Sequence, residues 1–213
     1  MKTFRAVDEP RSLKFEQYAA LSFREGVRSD AGAWGGVRPA LWSFGFWATF
    51  SYRASHALFR AGAIVPALSI QLTARFLFRC DVSRKATIGP SFVVCHPAGV
   101  FIGPHCRIGK GCTIGMGVFI GSNMHPDDPR DYPTIDDGVS VGPTACIMGP
   151  AVIGAECRIG PSAVVLGNVP ANHIVMPAVG RVMSRQKVAH LSRQPAHHVT
   201  DWHATGRVAG AAR

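Results

Sequence analysis

Between His105 and Asn123 the chain reads HCRIGKGCTIGMGVFIGSN, with isoleucine at 108, 114 and 120 and glycine after each. A spacing of six fits neither the 3.6-residue period of an amphipathic helix nor the two-residue alternation of a half-buried strand. The register runs back through Ile102 and, across two additional residues, to Val94 and Ile88. It resumes at Ile135, Val141, Ile147, Ile153, Ile159 and Val165. Two residues before the aliphatic position the side chain is mostly small, as at Ala86, Cys106, Cys112, Ala145, Ala151, Cys157 and Ala163. The pattern predicts a triangular coil. Each hexapeptide forms one short side with its aliphatic residue inward, the small residue lies near the corner, and the glycine permits the turn. Three sides make a rung, and stacked rungs bury one another's apolar faces. Twelve such positions decide against a sandwich of short strands, which would alternate with period two.

Upstream of the repeats the pattern changes. Leu41 to Phe59 is aromatic but interrupted by Arg53 and His56. Ala61 to Ala74 is apolar but shorter than the roughly 20 residues that span a bilayer. Both segments predict helices. Phe46, Phe50, Ala54, Ala57 and Leu58 share one face, as do Ile64, Leu68, Leu72 and Phe76, and both stripes predict internal packing. Pro66 suits the first turn of the second helix. Trp42, Trp47, Arg53 and Arg60 are also the residue types of a peripheral membrane helix, so that contact stays open. The expected organisation is a helical domain over 1–80, a repeat domain over 81–183 and a basic tail over 184–213.

Charge follows these boundaries. Residues 1–80 hold eleven Lys/Arg against five Asp/Glu, residues 81–180 six against seven, and the remainder six against one. The net charge of +10 therefore sits outside the repeats. No nucleic-acid recognition motif accompanies it, and solvated helix faces with a basic tail account for it. Cys106, Cys112 and Cys157 occupy small inward positions and Cys146 lies beside another, where a thiol packs as a small hydrophobe. There is no CxxC pair, and the charged start Met1 to Glu9 does not read as a secretory leader, so a reducing cytoplasm is expected.

The period fails at two places, and failures of a tolerant repeat point to function. One is VVCHPAGVFIG, Val93 to Gly103, with two extra residues around His96. The other is GSNMHPDDPRDYPT, Gly121 to Thr134, which extrudes a loop. About one rung separates them, which suggests a common side of the stack. An imidazole at a distorted corner is a candidate general base. Asp81 precedes His96 by fifteen residues, slightly less than one rung, so its carboxylate could hold the imidazole in one tautomer. A turn-capping His96 and a helix-ending Asp81 account for the same spacing.

Three segments carry a family resemblance. GFWATFSYRASHALFRAG, CDVSRKATIG and CHPAGVFIG resemble, without a gap, the helix pattern and the Asp…His segments of the serine O-acetyltransferases, members of the hexapeptide-repeat acyltransferases. The resemblance extends over about residues 28–183. It implies a mainly β fold, a left-handed parallel β-helix preceded by a small helical domain, with acetyl-CoA as co-substrate and no metal. It implies that His96 is the general base and Asp81 its partner. It implies acceptor binding at Asp30, in RSDAG, and at Cys95 and the loop residues Arg130 and Tyr132. The coenzyme is expected along the later rungs near Gly121, Pro143, Arg158 and Pro161. A homotrimer, or a dimer of trimers, is the implied assembly, with active sites between neighbouring coils.

The departures bear on the acceptor. Cys95 stands where the family carries aspartate, and the family's Arg-His-Pro loop ending reads Asp131-Tyr132-Pro133, with Arg130 and His125 nearby. An acidic residue in place of a carboxylate-binding arginine would repel serine's carboxylate. A serine-like acceptor and a sugar hydroxyl of a cell-surface polysaccharide precursor therefore both stand. The closing motif of the family becomes Val175-Met176-Pro177-Ala178-Val179. Relatives that dock into cysteine synthase end in isoleucine, whereas Ala209-Gly210-Ala211-Ala212-Arg213 does not, so no such complex is expected. A zinc hydrase on the same coil would need three histidines per metal. His96, His105 and His125 are available, but without a close pair. A non-enzymatic scaffold would leave the Asp81–His96 spacing without a role.

Overall fold

The computed structural model describes residues 9–178, with side chains from Lys14 onward. The tail 184–213, the last residues 179–183 of the expected repeat domain and the segment 1–8 lie outside the described residues. Five helices come first: α1 (Glu9–Ala19), α2 (Phe23–Ala33), α3 (Val37–Leu41), α4 (Phe44–Arg60) and α5 (Ile64–Phe78). Ser22 and Glu25 form a reciprocal capping box at the start of α2. Pro66 sits in the first turn of α5, and Arg79 ends that helix in the left-handed conformation.

From Asp81 the chain becomes the expected left-handed parallel β-helix, with three faces of short parallel strands. The A face holds Asp81–Val82, Phe101–Ile102, Phe119–Gly121, Cys146–Met148 and Val164–Val165. The B face holds Thr87–Ile88, Arg107–Ile108, Thr134–Ile135 and Val152–Ile153. The C face holds Val93–Val94, Thr113–Ile114, Ser140–Val141, Arg158–Ile159 and Ile174–Val175. Within each face every strand pairs with the strand one rung away, so Ile102 lies over Ile120 and Ile88 over Ile108. All twelve aliphatic positions are buried in one continuous column, with Ala86, Cys106, Cys112, Ala145, Ala151, Cys157 and Ala163 beside them. Burial pushes the Cys106 and Cys112 thiols up to about 12, in keeping with a packing role.

The glycine after the aliphatic residue serves close stacking, not the turn that the sequence suggests. A Cβ on Gly115 would lie 2.7 Å from the Pro143 nitrogen of the next rung. The left-handed corner comes two residues later, at Gly117 (φ 67°) and at Ser162 (φ 58°) in the equivalent place. Non-glycine residues tolerate that corner at a cost, which is why glycine recurs there without being universal.

Helix α4 caps the open end of the coil. The first rung's carbonyls have no earlier rung to bond, and an unpaired buried carbonyl is costly. Tyr52 donates its hydroxyl to the Ala86 oxygen at 3.0 Å, and Arg53 donates to the Ile88 and Gly89 oxygens at 2.8 and 2.6 Å. His56 Nδ1 contacts the Arg84 oxygen at 2.8 Å. The buried face of α4 is therefore largely polar and small, and only Phe46 of its expected apolar stripe is fully buried. The stripe expected to pack α5 inward is exposed. Ile64, Leu68, Leu72 and Phe76 face outward, while Ala67 and Ala74 are buried. Small residues allow α5 to approach closely, and that leaves its bulky face outside. Among the described residues no helix is long and apolar enough to cross a membrane.

Candidate active site

The two breaks in the repeat occupy different edges of the coil. Cys95 to Gly99 turns from the C face to the A face, and the loop from Ser122 to Pro133 connects the A face to the B face. They flank the A face from opposite sides, because an extra turn of chain adds at whichever corner it interrupts. The expectation of a common side is corrected for the single chain.

His96 is exposed, and its ring makes no hydrogen bond or ion pair among the described residues. The widened corner around it is nevertheless well fixed. The Val100 N–H donates to the Pro97 oxygen at 3.1 Å, and the Gly99 N–H to the Arg79 oxygen at 2.8 Å. The Gly117 N–H donates to the Ala98 oxygen at 2.9 Å. Below it the same edge continues as a ladder, with the Thr144 N–H on the Met116 oxygen (2.7 Å) and the Ser162 N–H on the Pro143 oxygen (2.9 Å). The expected coenzyme positions Pro143 and Pro161 thus share an edge with His96, and exposed Arg158 precedes that edge on the C face. Gly121 does not join them. It is buried at the far side of the A face, at the foot of the loop.

Asp81 lies opposite Phe101 on the A face, just past the His96 corner. Its carboxylate is held by α5, not by the imidazole. Gln71 Nε2 donates to Oδ1 at 2.9 Å and Arg75 to Oδ2 at 2.5 Å. The structure brings Asp81 and His96 to one region of the coil without a bond between them. Gln71 and Arg75, four residues apart on a largely apolar helix, escaped the sequence reading. Their i, i+4 spacing was the available signal.

Asp30, expected to bind the acceptor, is enclosed by the chain's own groups. It is 1% exposed. Its Oδ2 accepts from Arg53 Nε at 2.9 Å, and its Oδ1 accepts from another Arg53 nitrogen at 3.1 Å and from the Phe92 N–H at 2.9 Å. Burial pushes this carboxyl up, with the guanidinium and the Phe92 amide pulling the other way. A carboxylate so enclosed is bound to the protein itself. Exposed Cys95, in contrast, stands next to His96.

The loop is latched from within. Asp131 Oδ2 accepts the backbone N–H groups of Asn123, Met124 and His125 at 3.0, 3.1 and 2.9 Å. These bonds, that of His125 foremost, hold its carboxyl below the usual range. Asp131, expected to face the acceptor, thus has this oxygen engaged within its own loop. Arg130 pairs with Asp128 at the exposed rim. Tyr132 is buried, donates its hydroxyl to the Pro126 oxygen at 2.8 Å and sets its ring edge-on to His105, 5.1 Å between centroids. The loop alone shapes an open depression of about 690 Å³ between Met124 and Pro129. His105 and His125 belong to this edge and His96 to the other, so the three do not converge. Among the described residues no group of three His, Cys, Asp or Glu is placed to hold a metal.

Comparisons with known proteins agree with this architecture. The family described as bacterial transferase hexapeptide (six repeats) matches residues 132–167. The serine acetyltransferase of Synechococcus elongatus is 32% identical over 170 residues, which cover 79% of this chain and 69% of that relative. The serine acetyltransferase of Bacillus licheniformis is 32% identical over 139 residues, covering 65% of this chain and 64% of that one. The chain spans 64%, 62% and 64% of the length of the Bacillus licheniformis, Mycobacterium tuberculosis and Bacillus subtilis relatives. Soybean serine acetyltransferase complexed with serine superposes with a TM-score of 0.67 at 28% identity, over 77% of this chain and 72% of that one.

Proposed function

This chain belongs to the serine acetyltransferase family, and from that premise we propose that it transfers the acetyl group of acetyl-CoA to the hydroxyl of serine or a serine-like small acceptor. The observation that carries the reading is the unencumbered His96 at a widened corner, on the same edge as the exposed turns at Pro143 and Pro161. His96 takes the hydroxyl proton as the acceptor oxygen attacks the thioester carbonyl. A backbone N–H beside the corner stabilises the tetrahedral oxyanion. Collapse breaks the carbon–sulfur bond, and the imidazolium returns its proton to the departing thiolate. Acidification converts the base to an imidazolium that cannot accept, so the rate falls.

Asp81 orients His96 in this scheme only after it leaves Arg75. That guanidinium is half exposed, and exposed ion pairs contribute only about 0–1 kcal/mol, so a bond to a developing imidazolium can displace it. The coenzyme lies along the edge of Pro143, Pro161 and Arg158.

The active enzyme is proposed as a homotrimer. The outward positions of the A face carry Phe101, Phe119, Cys146 and Val164, an apolar column flanked by His96 on one edge and the loop on the other. Cyclic packing through that face would bring one copy's loop, with Arg130 and Tyr132, to its neighbour's His96. Heterologous contacts close a ring in this way.

A sugar hydroxyl as acceptor is the second reading. It is favoured by Asp30 and Asp131, both engaged inside the chain, and by Arg130 tied to Asp128. Acetyl-CoA consumption with serine, homoserine and a panel of sugars separates the two. His96→Ala should lower kcat by about 10²–10⁴-fold while the protein stays folded. Wild-type turnover by folded His96→Ala protein would overturn the mechanism.

A further inference from the structure

The coil segment leading to His96 is held against the helices at several points between Ile88 and Val94. Arg53 of α4 donates to the Ile88 and Gly89 oxygens, and Asp30 of α2 accepts the Phe92 N–H. Ser29 and Ser91 share a hydrogen bond at 2.8 Å. Gly45 of α4 lies directly on the carbonyl of Val94, two residues before His96. A Cβ there would stand 1.8 Å from the Val94 oxygen and 3.1 Å from the Trp34 ring. Even a methyl group at 45 must therefore displace the strand end or the helix.

We infer that Asp30 is a positioning residue for His96, acting through Arg53 and the Phe92 amide on the coil from Ile88 to Val94, and that Gly45 fixes the same segment by direct contact. The inference rests on the reading of His96 as the general base. Its physical content is rigidity. The buried carboxylate uses one oxygen on a backbone amide of the coil and both on a guanidinium whose remaining donors hold two coil carbonyls. Two helices and one rung are thereby locked into a single unit. A base must be held close to its productive geometry, and a misplacement of about 1 Å can cost about 10²-fold in rate. A ligand of the acceptor would instead be felt mainly in binding.

Asp30→Asn keeps an oxygen for the Phe92 N–H but removes the charge that holds Arg53. Gly45→Ala cannot touch an acceptor through Asp30. Steady-state kinetics with acetyl-CoA, and with L-serine or the best sugar of the acceptor screen, should show the same signature for both. The expected result is a kcat lower by about 10- to 10²-fold with the acceptor KM within about twofold of wild type. A raised acceptor KM at unchanged kcat for Asp30→Asn would overturn the inference, as would wild-type kcat in both folded variants. If Asp30→Asn does not fold, Gly45→Ala is read alone by the same criterion. In the wild-type protein, the Arg53 Nε–H resonance should stay in place as the acceptor is titrated to saturation, and movement with acceptor occupancy would identify Asp30 as a ligand. Inactive His96→Ala beside fully active Asp30→Asn and Gly45→Ala would refute the positioning role alone. Active His96→Ala would refute the reading beneath it.

Discussion

The hydroxyl of Tyr52 donates to the carbonyl oxygen of Ala86 at 3.0 Å, a buried bond between the middle of α4 and the first rung of the coil. Burial pushes this phenol up to about 12, so it remains a donor throughout the working pH range. Tyr52→Phe keeps the ring and strips the donor. The Ala86 oxygen, with no earlier rung above it, is then left unpaired. The loss should be about 1–3 kcal/mol, seen as a lower urea midpoint with an unchanged slope. A midpoint equal to wild type would mean that water reaches this carbonyl.

A second cap residue makes the same junction sensitive to pH. His56 Nδ1 contacts the Arg84 oxygen at 2.8 Å, so the neutral ring donates from that nitrogen, and burial lowers its pKa below the ordinary imidazole value. The unfolded chain therefore binds a proton at a higher pH than the folded one. Stability from this site is complete above the unfolded value and declines as pH falls from there toward the lower folded value. His56→Asn places an amide donor near the same position without a titrating group. The thermal midpoint of wild type should fall through this window more steeply than that of His56→Asn. Parallel curves would show that His56 does not supply the slope.

The coil was legible because its constraint is local and repeated. Ile108, Ile114 and Ile120 each need the same inward environment, so six-residue spacing alone marks them. The capping of that coil was not. Tyr52, Arg53 and His56 read as interruptions in an aromatic helix, because the carbonyls they serve lie some thirty residues further along the chain. Burial of Asp30 was hidden for the same reason, since its partners Arg53 and Phe92 come from two other segments. The exposed side of α5 was misjudged because periodicity identifies an apolar face without saying what covers it. Ala67 and Ala74, which pack inward, carry little weight in such a pattern.

In the loop, the sequence pointed to Asp131 as a barrier to serine's carboxylate, and the geometry gives it another task. Three backbone N–H groups converge on its Oδ2 and depress its pKa. The latch is therefore present above the ordinary carboxylate range and lost as pH falls below it, through the depressed folded value. Asp131→Ala should remove hydrogen-exchange protection from Asn123, Met124 and His125 at neutral pH and leave the amides of the coil column unchanged. Exchanging Asp131 for Arg and Tyr132 for His together should unfasten the loop and not improve turnover of serine. A gain in serine turnover by the double variant would restore the electrostatic reading of this position.

The A face offers the most direct test of assembly and site together. Phe101 and Phe119 stack at 4.9 Å with their planes 12° apart, and Val164, two rungs beyond Phe119 and next after Cys146, is 62% exposed. Phe119 points outward from the coil and does not contribute to the aliphatic column, so Phe119→Glu should leave the rungs intact. A carboxylate in an apolar contact between copies would lose its water without gaining a partner, a cost of at least a few kcal/mol. Sedimentation should therefore show the wild type as a trimer and Phe119→Glu as a smaller species with the same circular dichroism. Acetyl transfer should fall with the loss of trimer, because His96 and the loop lie on opposite edges of one chain's A face and would meet between copies in the proposed trimer. A monomeric wild type would remove the trimer from this account, and full activity in a monomeric Phe119→Glu would place the whole site within one chain.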